Sequence, residues 1–282
     1  MRTPPRPLPP PLLLLLLLSS ALPVLSLRSR SSPFPSLPLP FALAARRLRP
    51  SLPPSLSRLR ASLPWPPNPP NSSQLLFQAR SERDAYAFVE DALSDGDEWS
   101  LAVERDGCRA WTRRLDGSPH AYVRGSALFS SPPSAFLLLF ETSDAELIRR
   151  YNPLYESGWD VERIDASTKV SYGKVRAAFP GVRARDTVSL ISRRSLAGGA
   201  TAFFQEAVEH PDVPPIRGVV RAKILRGMFL IRPVPGAPGK TNFTFTQQVD
   251  VGGVIPAWIM NRLVTGESVN FLQRLEQMAR RL

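Results

Sequence analysis

No aspartate or glutamate occurs before Glu82, and 19 of the 31 prolines fall within the first 70 residues. A chain cannot build a packed core from such a stretch. Proline removes backbone donors and blocks helix and sheet, and nine arginines without a single acid repel one another. The fold must therefore come from about 210 residues at the C-terminal side, enough for one domain with a sizeable core. The net charge of +12 divides the same way, +9 before residue 71 and +3 after it. The nearly balanced folded part lacks the basic surface that nucleic-acid binding demands, so no nucleic acid is expected as a partner.

The first 27 residues combine Arg2 and Arg6, an unbroken leucine run at 12–18, and small residues at 19 and 21 before a candidate cut. That is the pattern of a signal-like targeting segment. The apolar stretch is too short for a membrane span, which takes about 20 residues. Residues 28–74 form a Pro/Ser/Arg-rich segment, read as a disordered transit-like stretch or linker. Together they predict organelle targeting. A plastid is favoured, a mitochondrion (Arg46, Arg47 and Arg49 point that way) and the secretory pathway are the rivals, and a leader without a targeting role leaves the protein cytoplasmic.

From residue 75 the pattern turns to folded structure. A helix is predicted after Ser81, with Ala85, Phe88, Val89, Ala92 and Leu93 on one face. Strands are predicted at 99–104, 108–114, 121–129, 160–164, 169–177, 186–192, 201–208, 219–224, 228–231 and 241–251, with Asp106-Gly107 as a hairpin turn and a further turn at 225–227. One helix is predicted over 132–148. A last one runs over 256–282, where Val264, Phe271, Leu275, Met278 and Leu282 share a face. Its start, Trp258 to Val264, is apolar all round and must touch something apolar. The order argues α+β with an antiparallel sheet.

One cysteine, Cys108, allows no internal disulfide and no multi-cysteine zinc site, and only His120 and His210 are present. No phosphate-binding glycine loop or nucleophile elbow occurs. No cofactor and no metal are expected, nor is catalysis. Cys108 reads as an inert core residue and His210 as a loop residue. The polar candidates are few. Gln247 breaks the apolar alternation of Phe243, Phe245, Val249 and Val251, and either finds partners in the protein or bonds a ligand. Arg185 and Asp186 either pin a strand entrance or line a cavity. Arg221 offers a fork to phosphate or forms an exposed ion pair. Tyr172 either packs in the core or closes a cavity with its ring.

Several residues in this order and spacing resemble the START (StAR-related lipid transfer) domains over roughly residues 80–282. They are Trp99, Gly107 and Trp111; Tyr151-Asn152 and Trp159; Val170-Ser171-Tyr172; Phe179-Pro180 with Arg185-Asp186; Val208-Glu209-His210-Pro211; Pro214-Pro215; Gly218-Val219-Val220-Arg221; Pro233; Lys240-Thr241-Asn242; and Asp250, Gly252-Gly253, Pro256 and Trp258. The resemblance implies a helix-grip fold, a curved antiparallel sheet wrapped around the long C-terminal helix with an internal lipid tunnel. It implies one bound lipid, transient membrane contact, and a monomer. The chain is more similar to the phosphatidylcholine-transfer type than to sterol carriers, because the acid and arginine of sterol tunnels align with Tyr172 and Ile191. Tyr172, Arg185, Asp186, Arg221, Gln247, Trp258, Met260 and Leu263 are the expected lipid-binding residues. Trp258–Val264 is the expected gate, with the loop at Phe179-Pro180-Gly181 as its rim. The alternatives are a lipid sensor or tether that does not transfer, and a cyclase- or hydratase-like enzyme on a hydrophobic substrate.

Overall fold

The computed structural model describes residues 87–282, except 95, 143, 178–180 and 254–256; over 257–265 only the helical backbone is described. The leader, the residues that begin the first predicted helix, and Phe179-Pro180 lie outside the described residues.

Helix α1 (87–93) leads into β1 (Ser100–Arg105), β2 (Cys108–Arg113) and β3 (Tyr122–Phe129). Asp106 and Gly107 adopt φ of 52° and 74°, the left-handed pair of a two-residue hairpin turn. The single helix expected over 132–148 is two helices, α2 (Pro133–Glu141) and α3 (Ala145–Tyr151). Asp144 causes the break: its carboxylate accepts from the Glu146 and Leu147 backbone N–H groups at 2.8 and 3.3 Å and so caps α3. There follow β4 (Tyr155–Arg163), β5 (Thr168–Val175), β6 (Arg185–Ser195), β7 (Thr201–Ala207), β8 (Val220–Arg221), β9 (Lys223–Val234), β10 (Ala237–Asp250) and α4 (Ala257–Ala279).

The strands form one sheet in the order β1-β2-β3-β10-β9-β7-β6-β5-β4, antiparallel throughout, with short β8 added parallel to the start of β6. Two predictions are corrected here. Residues 225–227 do not turn the chain; β9 runs straight through. Arg226 opposes Gln248 and Ile224 opposes Val249, so Leu225 is the extra residue of a bulge. The last helix ends at Ala279 rather than 282, and Leu282 is exposed.

The curved sheet has two covered faces. On the inner face, α4 packs Val269, Phe271, Leu272, Leu275 and Met278 against β1, β2 and β3, and Phe271 reaches Phe245 of β10. Eight phenylalanines cluster there, among them Phe140 stacked on Phe229 at 4.8 Å and Phe129 on Phe136 at 5.0 Å. Gly125 admits one of them, for a Cβ at this position would stand 2.2 Å from the Phe245 ring. On the outer face, α1 lays Phe88 and Ala92 against Ala202, Met228 and Leu230. Arg124 lies between the rings of Trp99 and Trp111, at 4.6 and 4.4 Å.

Cys108 belongs to the inner face and is 2% exposed; burial first, and the Glu276 carboxylate next, push its thiol up to about 11. Thiol reagents attack the thiolate. Cys108 is expected to stay unmodified in the native protein at neutral pH and to react at once in denaturant. A stoichiometric reaction with Ellman's reagent before unfolding would contradict this.

Candidate functional site

Because side chains alternate across a strand, the ladder pairing states which residues share a wall. The row Phe203, Phe229 and Phe245 belongs to the inner face, where Phe245 meets Phe271 of α4 edge-on at 5.6 Å. Two residues along, the next inner row runs Lys169, Ile191, Gln205, Gly227 and Gln247 across β5, β6, β7, β9 and β10. Beside it stand Ser171, Ser189 and Ala207, and further along β6 comes Arg185.

This second row changes the chemistry of the wall. Gln247 is 2% exposed, yet neither its Nε2 nor its Oε1 meets a protein partner among the described residues. The Nε2 of Gln205, the Oγ of Ser189 and the Nε of Arg185 are buried and unpartnered too. Gly227, between the two amides, carries no side chain to cover them. A buried donor or acceptor left unsatisfied costs about 1–3 kcal/mol. At the β5 edge of the row, Lys169 donates to Asp160 at 2.6 Å. Burial pulls the lysine down to about 8 and raises the Asp160 carboxyl, each opposed by the other's charge. The inner wall thus offers amide and hydroxyl groups at its centre, a guanidinium towards one end and a buried ion pair at one edge.

Arg185 and Gln247 stand on this wall. Burial lowers the pKa of Arg185, and its Nη1 donates to the Arg183 carbonyl at 2.5 Å. Three other expected site residues do not stand there. Asp186 follows Arg185 and Tyr172 follows Ser171, so both point to the outer face. Tyr172 packs with Val170, Val188 and Val213 and stacks on Trp159 at 4.1 Å. Its hydroxyl is pushed up to about 12 by burial and by the Asp186 charge. Arg221 grips the Asp186 carboxylate with two bonds, 2.8 and 3.1 Å, and donates as well to the carbonyls of Val213 and Pro214. Its fork is therefore occupied by protein, and the three residues fasten the 208–219 segment to the back of the sheet. The sterol comparison changes with them. Tyr172 and Ile191 lie on opposite faces, so they are not one tunnel pair; the inner-face neighbours are Ser171 and Ile191. Trp258, Met260 and Leu263 fall in the first turns of α4, and their side chains lie outside the described residues.

Gln205, Ser189 and the Lys169–Asp160 pair escaped the sequence reading. Adjacent Phe203-Phe204 hides the alternation of β7, because Phe203 packs on Phe140 of α2 on one face and Phe204 on Phe88 of α1 on the other. The run of small and apolar residues in β6, buried on both faces, hides it again.

A curved antiparallel sheet packed over its C-terminal helix, with polar groups sunk in its inner wall, is a helix-grip arrangement. The START domain family model matches residues 80–282, and the chain belongs to this family. It is 26% identical over 187 residues to the zebrafish (Danio rerio) steroidogenic acute regulatory protein, mitochondrial, covering 65% of this chain and 64% of the relative. Among solved structures it is similar to human StAR-related lipid transfer protein 5, with a TM-score of 0.66, 19% identity, and coverage of 74% of this chain and 98% of that one. Human STARD10 gives a TM-score of 0.64 at 20% identity, covering 71% and 80%. The chain spans between 44% and 64% of the length of the first curated relatives it matches.

Proposed function

We propose that this protein binds one lipid between the sheet and α4 and carries it between membranes, and that the lipid is a phospholipid or another two-chain lipid. The observation that carries this reading is Gln247, a buried amide one row from the phenylalanines, whose two polar atoms have no partner among the described residues. A lipid head group bonded there satisfies the amide, while acyl chains lie along the phenylalanines at about 0.8 kcal/mol per buried CH₂. No bond needs to be made or broken for this task. The relatives, a steroidogenic acute regulatory protein and a StAR-related lipid transfer protein, support carriage over catalysis. A sensor that holds lipid without moving it differs only in kinetics, and vesicle-to-vesicle transfer separates the two.

Gln247→Leu tests the site. The substitution removes two unsatisfied polar atoms at nearly constant volume, so thermal stability is expected to hold or rise by up to ~2 kcal/mol. Native mass spectrometry of the purified protein is expected to show a changed set of bound lipids. Loss of stability with an unchanged lipid profile would make Gln247 a structural residue.

A further inference from the structure

Several loop segments meet at one end of the sheet. Strand β6 starts there, β9 starts and β10 ends there, and α4 begins just beyond. The Val220 backbone N–H donates to the Ala184 carbonyl at 3.0 Å, and Gly252 lies against Val220 and Arg221. Out of this junction rises the tip 214–218, whose sequence is Pro-Pro-Ile-Arg-Gly. Every residue of it is exposed, and Ile216 presents 44% of its surface to solvent. A lone exposed isoleucine is ordinary. Its setting gives it meaning.

The tip is rigidly mounted. Val213 is buried in the outer cluster beneath it, Arg221 holds the carbonyls of Val213 and Pro214, and two consecutive prolines restrict the backbone. The Val219 N–H closes the turn onto the Ile216 carbonyl at 3.1 Å. Exposed arginines stand on the tip itself, Arg217, and on the β5–β6 connection whose Ala184 carbonyl accepts from Val220: Arg183, and Arg176, which also donates to the Pro153 carbonyl at 2.9 Å. None of the three makes an ion pair among the described residues. The acids nearby are engaged or opposed. Asp186 is held by Arg221 and Glu156 by Lys174, while Asp250 stands 3.7 Å from His120 and opposite Lys223. The tip's own acids, Glu209 and Asp212, sit at its root, where His210 reaches Glu162 of β4 at 3.2 Å. The charge is thus sorted, with unpaired cations beside the apolar tip and acids behind it.

We propose that 214–218 is a membrane-contact tip that lodges Ile216 at the acyl boundary of an anionic bilayer, with Arg176, Arg183 and Arg217 among the lipid head groups. A preorganised apolar side chain with cations beside it suits such a surface, and each arginine near it contributes roughly fivefold in affinity. The tip faces the end of the sheet at which α4 begins, so docking would present the container to the bilayer. The proposal extends the lipid-carrier reading but is tested apart from it, since bilayer contact and lipid cargo are read by separate measurements.

The experiment uses the full chain carrying Ile216→Cys, labelled with an environment-sensitive dye; Cys108, the one native cysteine, is buried. Phosphatidylcholine vesicles with phosphatidylserine are expected to shift the dye to the blue, and brominated acyl chains to quench it. Adding Arg183→Gln and Arg217→Gln is expected to weaken the response about 25-fold. A dye on Leu128→Cys, at the opposite end of the sheet, is expected to stay unshifted. An unshifted dye at 216 while the protein sediments with the same vesicles would overturn the tip, as would an equal shift at 128. An equal response to pure phosphatidylcholine would overturn the anionic requirement. Lipid cargo, measured in the same preparations by native mass spectrometry, reports on carriage alone.

Discussion

Phe243→Ala is expected to destabilise the protein by about 3–5 kcal/mol, the usual loss for a large aromatic cut from a core. Phe243 is fully buried, and the rings of Phe129, Phe136 and Phe140 lie 5.8 Å from its own, with Phe229 at 6.1 Å. These neighbours come from β3, α2 and β9 and are themselves stacked, so they cannot collapse into the void without breaking one another's contacts. In a domain of this size the loss corresponds to roughly 10 °C in the thermal midpoint. Urea denaturation measures it directly, and a loss below ~1 kcal/mol would show that the phenylalanine cluster is not the cohesive centre of the inner face.

Asp186→Asn is expected to be nearly as damaging for a different reason. The asparagine keeps the shape of the carboxylate but leaves the Arg221 guanidinium without its counter-charge beside a carboxamide that is 1% exposed in the native setting. Breaking one side of a buried ion pair typically costs about 3–5 kcal/mol, whereas replacing both partners by apolar groups costs far less. Arg221 is partly exposed, so the lower end of that range is expected, and Asp186→Asn with Arg221→Met should recover part of the loss. The bound lipid should be the same in all of these variants, because the pair lies on the outer face of the sheet. Altered lipid selection in the double variant would return Arg221 to the container wall. The 208–219 segment, fastened by this pair, should also become open to protease in the single variant.

The α+β class, the number of strands within one, and the C-terminal helix follow from local rules. Period-two alternation in β10, the Asp-Gly hairpin and the apolar repeat of α4 over Phe271, Leu275 and Met278 each depend on neighbours in sequence, and each stands as expected. So does the place of Gln247 on the inner face, because β10 carries a polar residue at one position among its apolar ones, and alternation makes it conspicuous. Local rules misjudged what depends on distant partners. Leu225 reads as part of a turn, yet pairing with β10 on one side and β7 on the other holds β9 extended and absorbs the residue as a bulge. Tyr172, Asp186 and Arg221 read as candidates for the container, and they are chemically apt for it. Their face was set by register, in which a one-residue shift exchanges inner and outer walls. Arg185 and Asp186 are neighbours in the chain and stand on opposite sides of the sheet. Where both faces are covered, as over β6 and β7, buried residues occupy both sets of positions and the sequence holds no signal of which is inside. Gln205 and Ser189 are therefore legible only from the tertiary pairing, which sets them beside Gln247 across strands far apart in the chain.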